Sequence, residues 1–201
     1  MDGAAWGKSD ASTGTYHHLA HHSADVAAVL LALLAQPLIR RRAETAFGRA
    51  LDGGEVECLG ALAFLHDIGK LAPAFQAKAW PDVHGLHLRG HLECGWLWLK
   101  MPRPDALAGA LTHLRHWPGI RDWFPVLFAH HGRPVLGRSD RGGEAANVFR
   151  AVLGYDWEAE EAVLGRAMQD WFPRIATACA PEPLTCPQGT EPFKRRVCSR
   201  N

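Results

Sequence analysis

Residues 64–70 read FLHDIGK, and they place His66 and Asp67 side by side in an apolar setting. Leu62, Ala63, Phe64 and Leu65 precede the pair, and Ile68 and Leu71 flank Gly69 and Lys70. A buried carboxylate is costly unless something pairs with it. A metal ion is one such partner, and it would need more ligands from elsewhere in the chain. Histidine is abundant enough to supply them: twelve of the 201 residues, several as the pairs His17-His18, His21-His22 and His130-His131. Neutral imidazole is the commonest metal-ligating side chain.

Periodicity singles out His22, His66, Asp67, His91, His130 and His131, which fall on the apolar faces or at the ends of expected helices. Six donors exceed one tetrahedral site. They point to two ions bridged by Asp67, whose carboxylate offers two oxygens where each imidazole offers one lone pair. Two ions about 3.5–4 Å apart suit phosphodiester hydrolysis. Imidazole and carboxylate donors suit Mn, Fe, Co, Ni or Zn more than Mg or Ca. The competing interpretation of His66 and Asp67 is a simple buried hydrogen bond. Taken singly, His17, His18, His84, His87, His113 and His116 are ordinary hydrogen-bonded histidines, and His21 is a surface neighbour of His22.

The elements that must position these residues are helical almost throughout. Leu19, His22, Val26, Val29, Leu30 and Leu33 repeat at three- and four-residue steps, which predicts a helix over 17–36 that stops near Pro37. A second, more polar helix is expected over 40–51, closed by Gly53-Gly54, and a third from 55 to about 71 with Leu59, Leu62 and His66 on one stripe. A short helical piece over 74–79 precedes a loop over 80–90. Further helices are expected over 91–100, 106–114 and 123–131, the last stopped by Gly132. Residues 132–143 form a loop rich in Gly and Arg, and Trp157, Leu164, Met168, Trp171 and Ile175 mark a last long helix that Asp156 caps. No strand pattern stands out. Trp96, Trp98, Trp117, Trp123 and Trp171 are assigned to the core. The consequence is an all-α fold: a single helical domain over 1–180, a dinuclear metal site between its helices, and a mobile tail over 181–201.

Bulk composition narrows the function. Hydrophobic residues make up 47% of the chain, ordinary for a globular protein, and the formal net charge of +1 means that nucleic-acid contact must come from a local patch. Arg133, Arg138 and Arg141, just after the His130-His131 pair, are the candidate patch. Five cysteines without a C-x-x-C pair imply reduced thiols rather than a disulfide frame. With no apolar signal region and no span-length apolar run, a cytoplasmic protein away from membranes, monomeric by itself, is expected.

HDIGK at 66–70 is the hallmark of the HD metal-dependent phosphohydrolase superfamily. A more specific set stands in order: WGKS at 6–9, HHSADVA at 21–27, FQAK at 75–78, GH at 90–91 and AHHG at 129–132. Over residues 6–172 the chain resembles the HD nuclease domain of the CRISPR-associated helicase–nuclease of type I systems. The resemblance implies a helical domain that cuts single-stranded DNA with two transition-metal ions, alongside a helicase domain or subunit and a guide-RNA surveillance complex. By the same resemblance, the first ion is held by His22, His66, Asp67 and a late Asp, and the second by Asp67, His91, His130 and His131. Asp67 and Lys70 then carry the catalytic roles, Lys70 lying near the metals within reach of a phosphate.

Two departures accompany the match. No G-x-x-x-x-G-K-[ST] phosphate loop is present, so this chain is not the motor. The late Asp is also unsettled: Asp140, Asp156 and Asp170 follow His131, and only Asp170, in MQDWFPR, has the following Trp of the family segment. The expectation is a chain that stops before the ligating helix, with water in the vacant position; Asp170 is the alternative ligand. Two other functions remain open on the residues alone. One is an HD phosphohydrolase acting on nucleotides or cyclic nucleotides, and the other is a non-catalytic, metal-stabilised docking module.

Overall fold

Residues 3–10, 12–80, 85–101, 123, 126–132 and 143–176 are described by a computed structural model. The chain begins with an antiparallel hairpin of β1 (Trp6–Asp10) and β2 (Thr15–His18). No strand was expected here. These strands are short and mostly exposed, so no buried face imposes a period-two pattern on the sequence. The hairpin is nonetheless anchored, because the Ala5 N–H donates to Glu160 Oε2 at 2.9 Å.

Helix α1 (Leu19–Ala35) follows at once, starting at 19 rather than 17 because the preceding residues belong to β2. His18 caps it, Nδ1 accepting the Ala20 N–H at 3.1 Å. Pro37 does end α1, but it also opens α2 (Pro37–Phe47), since its fixed φ suits a first helical turn. Gly48, not Gly53-Gly54, closes α2, with a left-handed φ of 72°. The two glycines instead begin α3 (Gly53–Phe64), where Asp52 and Glu55 form a capping box.

The third helix also ends earlier than expected. α3 stops at Phe64, and after the turn through His66 and Asp67 a 3-10 turn runs over Ile68–Leu71. His66 therefore lies beyond the helix rather than on its stripe. α4 (Pro73–Gln76) is a single turn, and α5 (His91–Lys100) occupies the expected span. Helix α6 (Glu144–Val148) lies beyond the expected Arg-rich loop, and α7 (Trp157–Trp171) is capped by Asp156, whose Oδ1 accepts the Glu158 and Ala159 N–H groups at 3.1 and 3.0 Å. The expected helix over 106–114 and the tail over 181–201 lie outside the described residues.

The core is all-α in character. α1 packs on α3, α5 packs on the 3-10 turn, and α7 packs on α1. Phe64, Leu65, Ile68, Leu71, Trp98, Phe128, Leu164 and Met168 are almost fully buried. Trp98 is core as expected, with its indole N–H donating to the buried Glu161 at 2.7 Å. Trp171 is not: it is 49% exposed at the end of α7. Cys58 and Cys94 are buried, and burial with Glu93 beside it pushes the Cys94 thiol up to about 12. Among the described residues, no single helix is long and apolar enough to cross a membrane.

Candidate metal centre

Three local decisions bring the histidines to Asp67. The break after α3 swings Asp67 out of the helix, its backbone at φ −108° and ψ 17°. Gly69 then lets α5 close on the 3-10 turn: a Cβ there would collide with the His91 carbonyl and the Gly95 backbone. Gly95, one turn along α5, accepts the Phe128 ring against its bare Cα in the same way. Phe128 lies two residues before His130, so two close approaches in series draw His91 and His130 to the same carboxylate.

Asp67 is 3% exposed, and its two oxygens face different partners. Oδ2 has His22 Nε2 at 3.0 Å, His66 Nε2 at 3.1 Å and Lys70 Nζ at 2.7 Å. Oδ1 has His91 Nε2 at 3.1 Å and His130 Nε2 at 3.5 Å, yet it makes no hydrogen bond of acceptable geometry. His131 joins the second set, its Nε2 lying 3.2 Å from His91 Nε2. Two groups of donor atoms could each hold a metal ion: His22, His66 and Asp67 in one, His91, His130 and His131 in the other. Exposure grades across the pair, from buried Asp67 to exposed His130 and His131.

The donor set fits cations. His66 Nδ1 is 2.8 Å from the Ala63 carbonyl and His130 Nδ1 is 2.8 Å from the Leu127 carbonyl. A carbonyl only accepts, so both Nδ1 atoms carry the hydrogen and a neutral ring has its lone pair on Nε2. Those lone pairs face a carboxylate oxygen, and that of His130 also faces His91 Nε2 at 3.4 Å. Lone pairs directed at one another repel unless a proton or a metal ion lies between them.

The electrostatics agree. Burial alone would raise the Asp67 carboxyl, but contacts with His130, His22 and His66 hold it well below the usual carboxylate range. Burial, reinforced by the positive neighbours Lys70, His130 and His131, pushes His91 down to about 4 against the pull of Asp67. That shift favours the neutral imidazole, the form that could ligate a metal ion. His130 shifts upward, chiefly through its contact with Asp67.

All six expected donors and Lys70 thus meet in one place. Asp170 does not join them: it is exposed near the end of α7 and belongs to neither donor group. Arg133, Arg138 and Arg141 lie outside the described residues. Sequence reasoning missed the β1 backbone: the Gly7 carbonyl accepts a hydrogen bond from Lys70 Nζ. The signal was available in the WGKS segment, whose glycine and tryptophan had no assigned task. His18, expected to be an ordinary hydrogen-bonded histidine, has Nε2 3.0 Å from Glu160 Oε2.

Helices converging on a His–Asp pair, with four further imidazoles around one carboxylate, define an HD-type helical domain. The chain belongs to the family described as Cas3, HD domain, whose model matches residues 6–195, and that family is one of metal-dependent hydrolases. Among solved structures, the crystal structure of T. fusca Cas3-AMPPNP superimposes with a TM-score of 0.52 at 22% identity over 89% of this chain, a likeness of fold. The match covers 22% of that chain's length. No curated protein matches the sequence.

Proposed function

We propose that this chain is a metal-dependent nuclease domain that cuts single-stranded DNA in type I CRISPR interference, working with a helicase domain or subunit and a guide-RNA surveillance complex. The observation that carries the metal-dependent reading is the division of Asp67: Oδ1 and Oδ2 face separate sets of imidazoles. His22, His66 and Asp67 would hold one divalent transition-metal ion, Mn, Fe, Co or Ni ahead of Zn. Asp67, His91, His130 and His131 would hold the other. Ions held by these residues would supply water activation and charge neutralisation for phosphodiester hydrolysis.

The remaining roles belong to the protein's own groups. The carbonyls of Ala63 and Leu127 keep the rings of His66 and His130 in the ligating tautomer. Lys70 offers an ammonium beside Asp67, within reach of a phosphate oxygen. Exposure at His130 and His131 supports a substrate that lies across the surface, as a strand does, rather than a small molecule enclosed in a pocket. Arg133, Arg138 and Arg141, next in sequence, would then track its backbone. With Asp170 outside both groups, water or a residue beyond the described ones completes the first site.

The test is to incubate Mn- or Co-loaded protein separately with circular single-stranded DNA, blunt duplex, mononucleotides and cyclic dinucleotides, with Asp67→Ala as control. The expected result is metal-dependent cutting of the circle, less cutting of duplex, and none by the variant. Hydrolysis confined to nucleotides would replace this reading with a phosphohydrolase. Metal binding without hydrolysis would replace it with a docking module.

A further inference from the structure

We propose that Gln76 is a positioning residue for the metal centre: it holds β1 so that the Gly7 carbonyl keeps the Lys70 ammonium from saturating the Asp67 oxygen that faces His22 and His66. The proposal rests on the metal-dependent reading above. Gln76 is completely buried, and its side-chain amide makes three hydrogen bonds. Oε1 accepts the Trp6 N–H at 3.1 Å, while Nε2 donates to the Trp6 carbonyl at 3.0 Å and to the Lys70 carbonyl at 2.7 Å. The Trp6 indole N–H returns a bond to the Gln76 carbonyl at 3.4 Å. One amide therefore clamps the backbone of Trp6 and of Lys70 together.

The clamp acts one residue further along β1. Strand pairing shifts register between Trp6 and Lys8, leaving Gly7 as the extra residue of a bulge. The Lys70 ammonium is shared between the Gly7 carbonyl and Asp67 Oδ2. Gly7 also lies against His22, where an added Cβ would come within 2.8 Å of the His22 Cβ. Trp6 and Gly7 thus fix two of the groups around Asp67 Oδ2, and Gln76 fixes Trp6.

Charge explains why this matters. An ammonium and a metal dication compete for one carboxylate oxygen. With the Gly7 carbonyl as a second acceptor, Lys70 can yield Oδ2 to a metal and stay hydrogen-bonded. If β1 is released, Lys70 closes on Asp67, and the His22–His66 side binds metal less well. The Oδ1 side, with His91 and His130, is affected little.

The experiment is a double-mutant cycle of Gln76→Met and Lys70→Met, read by Co(II) titration through the visible absorption of the bound ion. Gln76→Met preserves bulk and deletes all three side-chain bonds. It should weaken one of two Co(II) ions by about tenfold and leave the other within about twofold; in the Lys70→Met background its effect should vanish. The same loss with and without Lys70 would overturn the proposal, because Gln76 would then be merely structural. A second readout uses metal-free protein: the Lys70 ammonium hydrogens, followed by 15N NMR, should exchange at least about tenfold faster in Gln76→Met. Unchanged exchange would overturn the proposal whether or not metal binds, whereas absence of Co(II) from the wild type would instead defeat the metal-dependent reading. Gln76→Glu, which keeps an acceptor for the Trp6 N–H and loses both donors, serves if Gln76→Met does not fold. Failure of both variants to fold also overturns the proposal, since Gln76 would then be a requirement of the fold itself.

Discussion

Asp67 concentrates the chemistry of this protein in one side chain. Five side chains capable of positive charge come within 3.5 Å of its two oxygens. Removing it should therefore act on both proposed metal sites together. Asp67→Ala is expected to fall from two bound ions to none after dialysis, measured by elemental analysis, where loss of a single ion would refute the bridge. Asp170 gives the opposite expectation. Because it is exposed and outside both donor groups, Asp170→Asn should keep its metal content and its cleavage rate within about twofold, as surface substitutions do. A large loss would make Asp170 a ligand.

At the scale of elements, the centre depends on two close contacts made at glycines, which carry none of its charge. Gly69 and Gly95 bring α5 onto the 3-10 turn and Phe128 onto α5. Gly69→Ala must push α5, and His91 with it, away from Asp67. The expected cost is about 1–3 kcal/mol of overpacking, read in urea melts, with weakened metal binding on the Oδ1 side. Stability unchanged would show that the approach is not tight. The hairpin is held to α7 by Glu160, whose carboxylate contacts His18 and accepts the Ala5 N–H. Burial alone would raise the Glu160 carboxyl, but those two bonds prevail and lower it. A depressed carboxyl contributes stability above its unfolded pKa, and that contribution disappears as pH falls through the folded value. Glu160→Gln should thus cost about 1 kcal/mol at pH 7 and less at pH 3, by paired urea melts. An equal cost at both pH values would assign the loss to packing.

For the whole molecule, a net charge of +1 gives no general attraction for a polyanion. Strand binding must then come from a local patch, and it should weaken with salt by a slope of about −0.7 per neutralised phosphate. Arg133→Ala and Arg138→Ala should lower affinity for single-stranded DNA and flatten that slope while leaving metal content unchanged. Salt-independent binding, measured by fluorescence anisotropy, would exclude the patch. The chain spans only 22% of its solved relative.

What the sequence by itself determined was the helical class, and it also named the residues that gather around Asp67. A repeat of apolar residues along a helix is a local signal, and HDIGK carries its chemistry in five consecutive residues, so both could be read without a fold. Local signals also located α5 and the Asp156 cap. Tertiary structure decided the rest. Nothing in the residues near Leu65 announces the end of α3, because no proline stands there; the turn leads into the segment on which α5 closes at Gly69. The β-hairpin was illegible because its strands have no buried face to impose alternation, and its anchor, Glu160, lies 155 residues from Ala5. The division of Asp67 into two oxygens with separate partners is likewise a matter of direction. Sequence names the donor atoms, but only packing of residues distant in the chain aims them, since each imidazole must be turned by a carbonyl or a neighbouring helix before its lone pair points anywhere.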